Sequence, residues 1–205
     1  MQYRRLVITV LALAATLGAA QAQVPFDTAG VRYAATLNLA GAPLQLNGAG
    51  IRYKAIFKVY TAGLYLGEKA GTPEAVLAAK GPVRLHVVML RDIDANELGK
   101  LFTRGMQDNS PREEFIHMIP GTIRMGEIFA AKKRLLVGES FSVDWIPNAG
   151  TTVVVNGKAM GEPIRERAFF NGLLRIWLGK NPADPQLKDA LLGKPPQRPG
   201  NDGGN

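Results

Sequence analysis

Cysteine is absent from all 205 residues. That absence excludes disulfides, thiol nucleophiles, iron–sulfur ligation and zinc–thiolate sites together. The folded chain must therefore stand on its core alone. Histidine is scarce as well. His86 and His117 are the only two, they fall far apart, and neither has metal-ligand spacing to a partner. Each reads as a structural or surface side chain. No Gly-x-Ser-x-Gly elbow is present, and neither is a dinucleotide fingerprint or a phosphate loop. Gly48-Ala49-Gly50 is too short for either loop, and no helix follows it. The sequence thus supplies no catalytic nucleophile, no metal site and no cofactor site.

Negative charge is in short supply. Lysine and arginine number 25 against 17 aspartates and glutamates, for a net charge of +8. The basic residues are dispersed, with Lys132-Lys133-Arg134 the only run of three. No nucleic-acid motif accompanies them, so the excess reads as a solvated surface with a weak pull on anionic ligands and not as a nucleic-acid interface.

Long apolar runs are missing too, except at the start. Arg4 and Arg5, then the apolar stretch Leu6 to Ala19, then Ala20-Gln21-Ala22 form the charged, hydrophobic and cleavage regions of a secretory signal over residues 1–22. The apolar stretch is shorter than the ~20 residues of a spanning helix. Cleavage after Ala22 leaves no membrane anchor and predicts a periplasmic chain. No cysteine is available for lipid attachment. Loss of Arg4 and Arg5 brings the net charge from +8 to +6. N-terminal sequencing of the exported protein should return Gln23 first; an intact Met1 in a membrane fraction would refute the cleavage.

Residues 23–193 contain no internal repeat and no Pro/Gly linker, so they read as one domain, long enough to bury a sizeable core. Lys194 to Asn205 has no apolar residue to anchor it and reads as a disordered tail.

Strand-like segments come first. Val31 to Leu39 and Leu44 to Leu46 flank a turn at Ala40 to Pro43; residues 47–66 read as two strands joined tightly, the second of them in the aromatic, β-branched run Ile56 to Leu66. Thr72 and Pro73 start a short helix that Gly81 and Pro82 stop, and Val83 to Leu90 is another strand. Asp94 with Glu97 begins an amphipathic helix to about Gln107. Ser110-Pro111 starts a second helical region, expected to break near Pro120-Gly121 and to resume to about Ala131. Ser140 to Ile146 and Thr151 to Val155 form a hairpin around Pro147 to Gly150, and Asn156-Gly157 turns again. Ile164 to Leu178 is a strongly apolar helix with Gly179 in the C′ position. Asp184-Pro185 starts a last helix ending at Gly193. Strands do not alternate one-for-one with helices. The order predicts an α+β domain, a mostly antiparallel sheet with helices layered on one face and a ligand-sized cleft between the layers.

Within this frame Arg52, Tyr60 and Thr61 stand out. If they converge, they place one fixed positive charge and two hydroxyls inside an apolar sheet, which suits an anion with a greasy body or a developing oxyanion. The alternative is an Arg52 that faces solvent between Ile51 and Tyr53, because strand residues alternate. The carboxylates Asp92, Asp94, Glu113 and Glu114 read as helix-start residues, and Phe169, Phe170 and Trp177 as core packing.

Several motifs together resemble the chalcone isomerase-like proteins: Gly48-Ala49-Gly50-Ile51-Arg52, then Phe57 to Leu66. Leu90-Arg91-Asp92, Gly150-Thr151-Thr152, Asn156-Gly157-Lys158 and Phe170 through Gly179 are similar to the exported bacterial branch of that family. The resemblance covers roughly residues 30–193. It implies an open-faced β-sandwich, an arginine at position 52 that faces a ligand, and a hydroxyl from Tyr60 or Thr61. The family's plant enzymes close a flavonoid ring, and relatives without that activity bind fatty acids. The enzymes' catalytic tyrosine and asparagine fall near Glu97 and Arg104, so the resemblance implies the scaffold and its anion-binding arginine more than it implies catalysis. The leading expectation is a non-catalytic binder of a small amphipathic anion such as a fatty acid. An isomerase or lyase using Arg52 for the oxyanion is the alternative, and an interaction module with an unoccupied cleft is a third reading.

Overall fold

The computed structural model describes residues 25–195. The expected signal segment 1–22 and most of the expected tail 194–205 lie outside the described residues. Two short strands, β1 (Phe26–Thr28) and β2 (Val31–Tyr33), pair as a small separate ribbon. The main sheet has seven antiparallel strands. These are β3 (Thr36–Leu39), β4 (Ala42–Lys54), β5 (Phe57–Leu66), β6 (Val83–Met89), β9 (Ser140–Ile146), β10 (Gly150–Val155) and β11 (Lys158–Ile164). Their order across the sheet is β11-β10-β9-β6-β5-β4-β3. Two-residue strands β7 (Ile93–Asp94) and β8 (Arg134–Leu135) pair beside it.

Period-two alternation divides the sheet into two faces. Tyr60, Ala62, Leu64 and Leu66 of β5 share one face with Leu85, Val87, Phe141 and Val143. Five helices cover it: α1 (Pro73–Leu77), α2 (Ala95–Asp108), α3 (Arg112–Lys132), α4 (Arg167–Leu178) and α5 (Pro185–Leu191). Their apolar sides supply Phe102, Met106, Phe129, Phe170, Leu173 and Trp177 to the same core. The other face holds a smaller cluster of Tyr33, Leu39, Leu44, Ala49 and Tyr65, beneath the β1–β2 ribbon. On it the Asp144 carboxylate, 2 % exposed, accepts both Nε (2.7 Å) and an Nη of Arg84 from the neighbouring strand. This is an α+β fold with helices layered on one side of a large antiparallel sheet.

Local chemistry explains most boundaries. The Thr72 hydroxyl accepts the Ala75 N–H, with Pro73 in the first turn of α1. Asp94 Oδ1 accepts the Glu97 N–H at 3.0 Å. Asp184 Oδ1 accepts the N–H groups of Gln186 and Leu187. Asp94→Ala should cost about 1 kcal/mol, the usual value of an N-cap, and lower the melting temperature by about 2–4 °C for a domain of this size. A thermal melt checks this; an unchanged midpoint would mean the cap is replaced by water.

Several expectations need correction. α3 runs unbroken through Pro120. Proline removes one hydrogen bond, to the carbonyl of exposed Ile116, and water can serve that oxygen. Gly121 is there for space: a Cβ would lie 2.5 Å from Phe169 Cδ2. Packing of α3 on α4 thus outweighs local propensity. Ser110 is not the cap of α3; Pro111 holds that position without a side-chain bond. Ile164 ends β11, and α4 starts only at Arg167. That edge strand reads Lys-Ala-Met-Gly-Glu-Pro-Ile, and its glycine and proline hide it from a propensity scan. Val31 to Leu39 is two strands in different sheets, while Leu44 to Leu46 and Ile51 belong to one long strand, β4. Gly179 caps α4 with φ −71°, not in a left-handed conformation.

Candidate functional site

β4 and β5 are joined by a two-residue turn, and their register sets Arg52 directly opposite Tyr60. Both side chains therefore project from the helix-facing side. The Arg52 guanidinium carbon lies 5.6 Å from the centre of the Tyr60 ring. Arg52 is half-buried, and among the described residues it makes no ion pair or hydrogen bond. A desolvated guanidinium without a carboxylate retains unspent donors.

Tyr60 is nearly fully buried. Its hydroxyl oxygen accepts the Trp177 Nε1–H at 2.8 Å, which leaves the phenolic proton to donate. Burial pushes the Tyr60 pKa up to about 12, partly offset by the positive charge of Arg52. The phenol stays protonated at neutral pH and remains a donor.

These two groups line a cleft of about 190 Å³ between the sheet and the helices. Leu98, Leu101, Phe102 and Gly105 of α2 form one wall, Ile176 of α4 another, and Asn181 and Ala183 of the α4–α5 loop the third. The lining is apolar apart from Arg52, the Tyr60 hydroxyl, Asn181 and the exposed pair Arg104 and Asp108, which stand 3.6 Å apart at the mouth. Asp184, at the head of α5, is turned away from ligand duty: its Oδ2 accepts the Tyr53 N–H at 2.8 Å. That bond ties α5 to the strand carrying Arg52.

Thr61 lies elsewhere. One residue along β5 it points to the opposite face, where its hydroxyl accepts the Tyr33 O–H at 2.7 Å. Arg52 and Tyr60 converge; Thr61 does not join them. Glu97 sits exposed on the first turn of α2, away from the cleft, whereas Arg104 reaches its mouth.

The glycines before Arg52 serve close approach and not unusual backbone angles. α5 crosses β4 so tightly that a Cβ on Gly48 would lie 2.0 Å from the Ala190 carbonyl oxygen, and one on Gly50 would lie 2.7 Å from Ala190 Cβ. Asn47, at a register shift in β4, fixes that crossing. Its Nδ2 donates to Leu191 O at 2.7 Å and to Ala70 O at 2.9 Å, and its Oδ1 accepts the Ala70 N–H at 2.8 Å. Sequence reading missed Asn47, Gly105, Ile176 and Asn181. Only Asn47, a buried-strand asparagine beside a glycine, carried any local signal.

The sequence profile of a family described as chalcone isomerase-like matches residues 25–193, nearly all of the described chain. The chain belongs to the chalcone isomerase-like family. The match spans every strand and helix that builds the cleft, so the glycine–arginine opening and the Tyr60 strand are read within that family's frame. No curated protein sequence matches at a significant level. Among solved structures, a crystal structure of an Arabidopsis thaliana fatty-acid binding protein superposes with a TM-score of 0.66 at 11% identity, covering 82% of this chain and 96% of that one. At that identity the likeness concerns the fold.

Arg84, Arg167 and Arg175 are half-buried too, and the sequence reading left them out; Arg84 pairs with Asp144 on the other face and Arg175 with Glu114, while Arg167 lies in the core layer. Its Nη2 donates to the carbonyls of Leu77 (3.1 Å) and Ala79 (3.0 Å), and its guanidinium stacks 4.7 Å from the Trp145 ring. Burial lowers its pKa. With Nη2 spent on carbonyls at the C-terminus of α1, it is a clamp, whereas Arg52 makes no hydrogen bond or ion pair among the described residues.

Proposed function

We propose that this chain is an exported, periplasmic binding protein without catalytic activity, holding a small amphipathic anion of fatty-acid type in the Arg52–Tyr60 cleft. One observation carries the reading. A half-buried guanidinium without a carboxylate partner faces an apolar cleft beside a protonated, buried phenol. A ligand carboxylate supplies the missing partner through a charge-assisted, forked hydrogen bond, and Leu98, Leu101 and Ile176 take its tail. The fatty-acid binding protein of like fold supports this ligand class. The signal-like residues 1–22 support export, and the motifs shared with the exported bacterial branch support that placement within the family.

Ring closure of chalcone type finds little support. The positions that the resemblance assigns to the enzymes' tyrosine and asparagine carry Glu97 and Arg104, and the acid/base groups that line the cleft are a phenol held near pKa 12 and the exposed Asp108 carboxylate, which is paired with Arg104. Chalcone should therefore cyclise no faster with the protein than without it; a rate well above background that Arg52→Ala abolishes would reverse the assignment.

The direct test is mass spectrometry of ligands extracted from natively purified protein, followed by calorimetric titration with the acid recovered or with octanoate. A saturable site of one per chain is expected. A folded protein that carries no carboxylate and binds none would leave the interaction module as the better reading.

A further inference from the structure

We infer that the Arg52 cleft is cut for short acyl carboxylates, of about octanoate length, and gains nothing from longer tails, with Gly105 and Ile176 setting the limit. This rests on the reading of the cleft as a carboxylate site and concerns which carboxylates it selects.

Volume is the first observation. The cleft holds about 190 Å³, whereas pockets for drug-sized ligands usually hold ~300–1,000 Å³. At ~30 Å³ for a water-sized group, it admits roughly six such groups. With the carboxylate at Arg52, that is the tail of hexanoate or octanoate and well short of a hexadecanoate.

The inner end is sealed. Phe102 stands at the inner end of the α2 wall, and a block of aromatic rings packs against it. Its ring centre is 5.5 Å from that of Phe129, 5.5 Å from Trp177 and 5.8 Å from Phe141, and all four side chains are at most 2% exposed. A longer tail would have to displace close-packed rings, two of them set edge-to-face against Phe102.

The wall is clasped as well. α2 approaches α4 so closely that a Cβ on Gly105 would lie 3.1 Å from Ile176 Cγ2. At the outer end Asn109 Nδ2 donates to Asn181 O at 2.8 Å, Asn109 Oδ1 accepts the Asn181 N–H at 2.7 Å, and Asn181 Nδ2 donates to Asp108 O at 3.2 Å. Drawing α2 away to widen the cleft would break this exchange.

The test titrates wild-type protein with butanoate, hexanoate, octanoate, dodecanoate and hexadecanoate, each below its micelle concentration. Affinity should rise about fourfold per methylene, the usual gain for burying one, up to octanoate and then rise no further, because the sealed inner end has no room for more methylenes. Gly105→Ala, which adds a methyl against Ile176, should move the plateau to shorter acids. Ile176→Val, which removes one, should move it to longer acids. Thermal melts confirm that both variants fold. Affinity that keeps rising through dodecanoate and hexadecanoate at one site per chain would overturn the length limit while leaving the carboxylate site intact. An unchanged length profile in both folded variants would remove Gly105 and Ile176 as its determinants. Failure of every acid to bind folded wild-type protein would end the carboxylate reading itself, and this inference with it.

Discussion

Gly48→Val should destabilise the protein by about 3 kcal/mol or more and lower its melting temperature by roughly 6–12 °C. The position lies within β4, and its hydrogen points at α5. A Cβ there would sit 2.0 Å from the Ala190 carbonyl oxygen and 3.0 Å from the Leu191 oxygen and the Gly193 nitrogen. All three are backbone atoms, so no side-chain rotation relieves the clash. α5 must lift. Lifting it pulls Leu191 O from Asn47 Nδ2 and leaves a buried amide short of a partner, a loss of about 1–3 kcal/mol on its own. It also draws Asp184 away from the Tyr53 N–H and with it the loop that walls the cleft, so ligand affinity should fall together with stability. Gly67→Val is the control, because nothing lies within 4 Å of a Cβ there. Melts of the three proteins decide the matter. A Gly48→Val protein that melts with wild type would mean that α5 does not rest on β4 in solution.

The same crossing shows where sequence reading stops. Sheet, helix layer and most caps are written locally: strand-like runs at Ile56 to Leu66 and Val83 to Leu90, and cap residues at Thr72, Asp94 and Asp184. Those signals act within a few residues, and the structure reproduces them. Gly48 and Gly50 mark themselves as unusual, but a glycine's reason can be a turn or a neighbour. Only the fold reveals that the neighbour is a helix some 140 positions later. β11 is an edge strand and needs little propensity, so its glycine and proline masked it. α3 kept its course through Pro120 because packing on α4 outweighed one lost hydrogen bond. At the site Arg52 stood out from its apolar surroundings, but whether it faced solvent or a cleft stayed open in the residues themselves, and only the family resemblance pointed to a ligand. The choice between Tyr60 and Thr61 was not legible either, since adjacent strand residues face opposite ways and the register across β4 and β5 decides which joins Arg52. The walls from α2, α4 and the α4–α5 loop come from remote segments with no motif of their own.

Arg52→Ala should weaken octanoate binding by about ten- to a hundredfold, the equivalent of losing a charge-assisted hydrogen bond at about 1.5–3 kcal/mol. Folding should survive, because the side chain is half-buried at a cleft and no described residue depends on it for a hydrogen bond or ion pair. Arg52→Lys should recover only part of the affinity: an ammonium keeps the charge but lacks the planar fork that matches a carboxylate. Tyr60→Phe removes one neutral donor and should cost less in binding, about two- to tenfold, while leaving the Trp177 N–H without its acceptor and lowering the melting point. Thr61→Val separates the two hydroxyl candidates. Its oxygen already serves Tyr33 on the far face, so affinity should hold even as stability falls. Because the Tyr60 phenol remains protonated until about pH 12, octanoate affinity should stay flat from pH 6 to pH 9, where carboxylate and guanidinium are both charged. Calorimetric titration of the five proteins, with melts alongside, resolves the pattern. Equal affinities in wild type, Arg52→Ala and Arg52→Lys would make Arg52 an ordinary surface cation. A loss in Thr61→Val that exceeds the loss in Tyr60→Phe would place the ligand on the other face of the sheet.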